Sequence, residues 1–293
     1  MKYSMQRRLL PSVVGYVPLL AAVMLNGCQK QEPAPQSSSL KREVLMGVAF
    51  PGWQPVEEKM RQMVVLPMPS DTGNEIAQKV QARVEPIYVV KLDEQHAIML
   101  THSLPLDDSG ELMVCHACSN YVGAYFFTRD GAGWRMSARQ DSAARVGLEG
   151  YLGKTEIVEF GRRNYAFAAE WASCWQGTCG SWLVLLGLKP DQAKILAKGI
   201  PTAARNTGSY PACDETTADK SKTETVDSEP EQTCFEFAST WKPSGERMTV
   251  HFRGMTWDTG KKHLPVVIDE VAIYRIENGK FTLETGKNPV PKL

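Results

Sequence analysis

The chain has 293 residues, 43% of them hydrophobic, and 33 basic residues balance 33 acidic ones. That length allows one large domain or two small ones, and the apolar fraction is enough for a substantial core. Charge this evenly balanced leaves no electrostatic footprint for nucleic acid, so that class of partner is set aside.

The chain opens with Lys2, Arg7 and Arg8, after which residues 9–25 carry no charge. Basic residues hold the leading end of such a segment in the cytoplasm while the apolar run enters the export channel. A spanning helix needs about 20 apolar residues. This run is shorter and is interrupted by Pro11, Gly15 and Pro18, so it predicts an export signal, and no later stretch is long and apolar enough to span. The run ends in Leu25-Asn26-Gly27-Cys28. A branched apolar residue and a small one ahead of a cysteine resemble the lipobox of bacterial lipoproteins, with Asn26 a less usual middle residue. The resemblance implies removal of residues 1–27 and a diacylglycerol thioether on Cys28, with palmitate-type chains entering the lipid bilayer. Gln29, standing where an acidic residue would signal retention, implies the periplasmic face of the outer membrane by resemblance to the enterobacterial sorting rule. Several acyl chains, at roughly 0.8 kcal/mol per buried methylene, make such an anchor effectively permanent. The plainer alternative is a secretory signal that happens to end near a cysteine. Losing residues 1–27 removes three basic residues and no acidic one, leaving the mature chain slightly acidic.

Residues 28–39 are polar, with Pro33, Pro35 and three serines, and predict a flexible tether. Residues 40–293 are expected to form one mostly-β periplasmic domain, in which 40–85 reads as mixed and is a candidate separate helical segment. A short helix is expected over 56–65, entered at Pro55. A better one starts at Asp71 or Asn74, with Ile76, Ala77, Val80 and Val84 on one face, and stops at Pro86.

From residue 87 the apolar period shortens to two. Strand-like runs at 87–92 and 97–101 flank Asp93-Glu94-Gln95-His96, and runs at 121–129 and 134–139 flank Asp130-Gly131-Ala132-Gly133. Runs at 155–160 and 165–171 flank Gly161-Arg162-Arg163-Asn164, and those at 182–188 and 193–197 flank Lys189-Pro190-Asp191-Gln192. The same grammar continues with 234–240 and 247–252 around Pro243-Ser244-Gly245, then 271–277 and 280–284 around Asn278-Gly279. Glycine accepts the positive φ that tight hairpin turns require. Successive hairpins predict a mostly-β fold: an antiparallel meander arranged as a sandwich, barrel or propeller-like stack, with one or two short N-terminal helices. Residues 214–233 hold seven acidic residues and no aromatic, and read as a solvated loop.

Apart from Cys28, six cysteines remain, an even number suited to an oxidising compartment. They fall into close pairs, Cys115/Cys118, Cys174/Cys179 and Cys213/Cys234, and local pairing is expected because short loops close at the lowest entropic cost. Six cysteines allow 15 connectivities, so spacing alone leaves the pairing open. Cys115-His116-Ala117-Cys118 has the spacing of a redox-active dithiol, yet it lies between strands without the βαβ context that makes such a reading specific. Ser119 follows the second cysteine, so the motif is no haem attachment site, and no second Cys/His cluster supplies zinc ligands. His96 and His102 read as surface or hairpin histidines. Neither a metal nor another cofactor is expected.

Hydrolase signatures are missing: the sequence holds no Gly-x-Ser-x-Gly elbow and no His-Glu-x-x-His pair. No catalytic residue is assigned. In the segment 171–182, Trp171, Trp175 and Trp182 surround Cys174 and Cys179. A short bridged loop has little entropy left to lose on binding, and tryptophan is a frequent hot-spot residue. Trp175 is therefore the candidate partner-contact residue, while Trp171 and Trp182 are expected to pack the flanking strands. Thr207-Gly208-Ser209-Tyr210 is loosely similar to the Ser-Gly-containing loops of lysozyme-inhibitor-type lipoproteins. Together these features predict a membrane-anchored, non-enzymatic binding or inhibitor-type protein with an envelope protein as partner. The alternatives are a thiol–disulfide protein using Cys115 and Cys118, or an architectural part of an envelope assembly.

Overall fold

The computed structural model describes residues 35–70, 74–113, 115, 118–210, 213, 233–258 and 265–292, and every structural statement below concerns these. The readings of the export signal, Cys28, most of the tether and the acidic segment 214–232 lie outside them. Strands dominate, in two antiparallel sheets. The first contains β1 (Gln36–Ser37), β2 (Arg61–Pro69), β3 (Glu75–Lys91), β4 (His96–Pro105), β5 (Ser119–Asp130) and β6 (Gly133–Leu148), in the order β1-β6-β5-β4-β3-β2. The second holds β7 (Lys154–Glu159), β8 (Tyr165–Trp175), β9 (Thr178–Leu188), β10 (Ala193–Arg205), β11 (Thr233–Ser244), β12 (Arg247–Asp258), β13 (Val266–Glu277) and β14 (Lys280–Gly286), paired strictly in chain order. The mostly-β meander expected from the sequence is therefore present, and neither sheet closes into a barrel.

The two sheets stack face to face. Side chains alternate across a strand, so β4 sends Ile98 and Leu100 into one apolar cluster and Ala97 and Met99 into another. β5 does the same, with Val122, Ala124 and Phe126 on one face and Tyr121, Tyr125 and Phe127 on the other. The first set meets Phe167, Ala169, Val184 and Leu186 of β8 and β9. Those strands in turn place Ala166, Ala168, Leu183 and Leu185 on their far face, against Phe237, Met248, Val250, Phe252, Ala272 and Tyr274. β4, β5, β8 and β9 are thus covered on both faces, which is why they read as nearly continuous apolar runs.

The third layer arises because the second sheet folds back on itself. β10 and β11 share only two register pairs, Ala204 with Phe237 and Arg205 with Glu236, and then part. β11–β14 cross over β7–β10, so that a Cβ on Gly161 would lie 3.8 Å from the Cα of Gly245.

A single helix, α1 (Arg42–Ala49), covers the outer face of the first sheet with Leu45, Met46 and Ala49. Glu43 in its first turn suits the positive end of the helix dipole. Phe50 just beyond it packs edge-on against Tyr125 at 5.1 Å, and the buried Trp53 indole donates to the Val84 carbonyl at 2.9 Å. Asp141 of β6, only 8% exposed, accepts hydrogen bonds from the Val65 backbone N–H, the Tyr125 hydroxyl and the Arg139 guanidinium. That carboxylate ties β6 to the otherwise unpaired edge of β2.

The helical expectations for 40–85 need correction. Residues 57–60 form one 3-10 turn and 61–69 are strand β2. From Glu75 on, the stretch read as a helix is β3, which runs on through Pro86 with a bulge between Pro86 and Tyr88, while Asp71 lies outside the described residues. Val80 and Val84, four apart, share a face in a helix and also in a strand, and Ala82 between them is buried with Val84. The cross-strand ladder to β2 and β4 decided between the two periods. The short N-terminal helix that was expected is α1 at 42–49, earlier in the chain than either position read for it. Part of the expected tether is also in the fold: Gln36–Ser37 pairs with Trp134 and Arg135, and Ser37 is buried. Several strands are longer than predicted, β6 running to Leu148 and β10 to Arg205 through sequence too polar or proline-marked to signal it.

Candidate functional site

At one end of the second sheet lie the β8–β9 turn and the start of the β10–β11 connection. Gln176 and Gly177, with φ of 48° and 82°, form the two-residue turn between Trp175 and Thr178. Positive φ at both central residues matches the right-handed twist of the flanking strands. Gly177 is also a close-approach position, since a Cβ there would come 2.1 Å from the Gly208 carbonyl oxygen. The β8–β9 turn is thereby pressed onto residues 207–209, and the Thr178 and Ser209 hydroxyls hydrogen-bond at 2.6 Å.

Two disulfides staple this end. Cys174 and Cys179 are direct register partners one step from the turn, bridged with a Cα–Cα distance of 4.0 Å. Cys213 and Cys234, both fully buried, are bridged at 5.5 Å and join the β10–β11 excursion to the start of β11. Asn206 completes the anchoring: its side chain accepts from the Phe235 N–H at 2.8 Å and donates to the Thr233 carbonyl at 3.0 Å. The expected local pairing of all six cysteines is what the structure holds.

The three tryptophans separate as their register requires. Trp171 and Trp182 are cross-strand partners, stacked at 4.6 Å with 29° between their planes and partly buried. Trp175, at the strand end, is 65% exposed, and Tyr210, 39% exposed, stands on the neighbouring connection. Trp175, Trp182 and Tyr210 line a shallow groove of about 470 Å³ with Ser173, Thr178 and Ser209, and none of its lining residues is charged. Sequence spacing located Trp175 but gave no reason to set Tyr210 beside it, because that neighbourhood depends on the packing of residues 207–210 under the turn.

The remaining motifs lie elsewhere. Cys115 and Cys118 are disulfide-bonded, with Cys118 leading into β5 of the first sheet. A strand rather than a helix follows the pair, so no helix N-terminus lies there to lower a thiol pKa. His96 is a hairpin histidine, as expected, its Nδ1 at 3.0 Å from both Asp93 carboxylate oxygens, and this contact holds the Asp93 pKa below its ordinary value. His102 departs from expectation. It is largely buried on β4, where its Nε2 finds no hydrogen-bond partner among the described residues, and burial pushes its pKa down against the weaker opposing effects of the neighbouring Asn120 side chain and the Glu85 charge. Among the described residues no three His, Cys, Asp or Glu side chains gather as a metal-binding cluster. No helix there is long and apolar enough to cross a membrane.

The chain matches no family model, no curated protein and no solved structure. Its chemistry is therefore argued from its own residues. The stapled end sets Trp175 on a bridged turn with Tyr210 beside it on the groove.

Proposed function

We propose that the protein is an envelope lipoprotein, anchored in the outer membrane through acylated Cys28, that acts as a non-enzymatic binding protein for an envelope protein partner. The observation that carries the binding reading is the 65% exposure of Trp175 on a turn fixed by the Cys174–Cys179 bridge and packed on residues 207–209. An exposed indole on a rigid support contributes strongly to association, because little of its binding energy is spent on ordering the loop. The oxidised cysteine pairs support an exported protein, since such bridges persist outside the reducing cytosol.

The partner reading is tested by quantitative capture from native envelope extract with the parent and Trp175→Ala. The variant should retain its partner at least about tenfold less well, as hot-spot truncation implies, while its melting temperature stays within a degree or two of the parent. Equal capture by both would remove Trp175 and the stapled end from the binding surface. Mass spectrometry of the native product tests the anchor separately: an acylated Cys28 as the first residue is expected, and a free thiol there would overturn it.

A further inference from the structure

The fold-back of the second sheet leaves a mouth at the end opposite Trp175, where the β7–β8, β9–β10, β11–β12 and β13–β14 turns converge. Between them is a cavity of about 410 Å³, within the size range of small-ligand sites. Its walls are apolar, with Phe160, Leu188, Leu196 and Ile276 prominent. Glycine occupies 161, 187, 245 and 279 of its lining. At Gly187 a Cβ would come within 2.9 Å of the Leu196 side chain, so a larger residue would have to displace that wall. Gly245 and Gly279, at φ of 59° and 75°, hold turn conformations that side chains rarely adopt.

Three charges stand at the rim: Lys189, Lys194 and Glu246. Lys189 donates to the Asn164 side-chain oxygen at 2.8 Å. The Lys194 ammonium lies against the Gly279 backbone, 3.1 Å from where a Cβ would stand, and has no hydrogen-bond or ion-pair partner among the described residues. An apolar cavity whose lining carries two lysines against the single carboxylate of Glu246 suits a molecule with a hydrocarbon body and an anionic head: the walls supply affinity by burial, and Lys194, without a partner among the described residues, sets orientation.

We infer that this mouth is a second binding site, for a single-chain alkyl carboxylate, with its tail against Phe160, Leu196 and Ile276 and its head at Lys194. The site is independent of the partner reading at the Trp175 end.

Calorimetry on the full chain carrying Cys28→Ser, which leaves every described residue unchanged, tests it with octanoate, decanoate and dodecanoate below their micelle concentrations. Affinity should rise about threefold to fourfold per added methylene until the cavity is full and then level off. Decyltrimethylammonium should bind at least about tenfold more weakly than decanoate, and Lys194→Glu should weaken decanoate by about tenfold while favouring the cation. Leu196→Trp should fill the cavity and abolish binding of both. If Leu196→Trp does not fold, the exposed Lys194→Glu variant and the head-group comparison decide the question. Equal binding of the two head groups, insensitivity to Lys194→Glu, or no heat with any chain length would overturn the assignment.

Discussion

His102 shows how much a single position depends on its face. It sits on β4, whose neighbours on the same face, Ile98 and Leu100, belong to the core between the sheets. Burial disfavours the charged ring, so its folded pKa lies below the ordinary 6.5. The unfolded chain therefore takes up a proton near pH 6.5 while the folded ring stays neutral, and stability falls as pH drops through that window until it reaches the lowered folded value. Thermal melts of the parent and His102→Gln between pH 7.5 and 5 should show a shallower loss in the variant. Parallel curves would mean that His102 does not carry this acid sensitivity. His96 was legible because the Asp93-Glu94-Gln95-His96 turn marks its own surroundings. His102 was not, since nothing local reveals that another sheet lies over its strand.

At the scale of elements, the turns were the most legible part. Asn278-Gly279 adopts φ of 52° and 75°, the paired positive values its residues favour. Cysteine spacing was equally informative, because a bridge between residues 5 or 21 apart closes a short loop. In chain-entropy terms the longer Cys213–Cys234 loop stabilises by about 3 kcal/mol and the shorter Cys174–Cys179 loop by about 2 kcal/mol. Urea unfolding of the two double Cys→Ala variants should therefore show the larger loss for Cys213/Cys234. The reverse order would mean that strain or residual unfolded structure, rather than loop length, sets the contribution. β3 was misread for a physical reason. Its apolar spacing of four satisfies both periods, and β2 and β4 supply the ladder that settles which one applies.

The two sheets are built on shared cores. Phe167 of β8 is fully buried in the cluster formed by both sheets, and its ring meets Tyr88 of β3 edge-on at 6.0 Å. Phe167→Ala should cost about 3–5 kcal/mol. Because each sheet uses the other to cover an apolar face, both should unfold in one transition, with far- and near-ultraviolet circular dichroism coinciding. Separated transitions would show that the sheets are independent units. The Trp175 groove and the cavity below Lys194 also belong to this scale, since each is bounded by segments remote in sequence.

Alternating apolar residues, glycine-bearing turns and closely spaced cysteines determined by themselves that the chain forms antiparallel hairpins with local bridges, because these preferences act over a few residues. Only the tertiary structure decided that 75–91 is a strand, that β11–β14 fold back over β7–β10, and that Tyr210 stands beside Trp175. Those outcomes depend on which apolar faces cover one another, and a face is completed by residues that no local pattern connects.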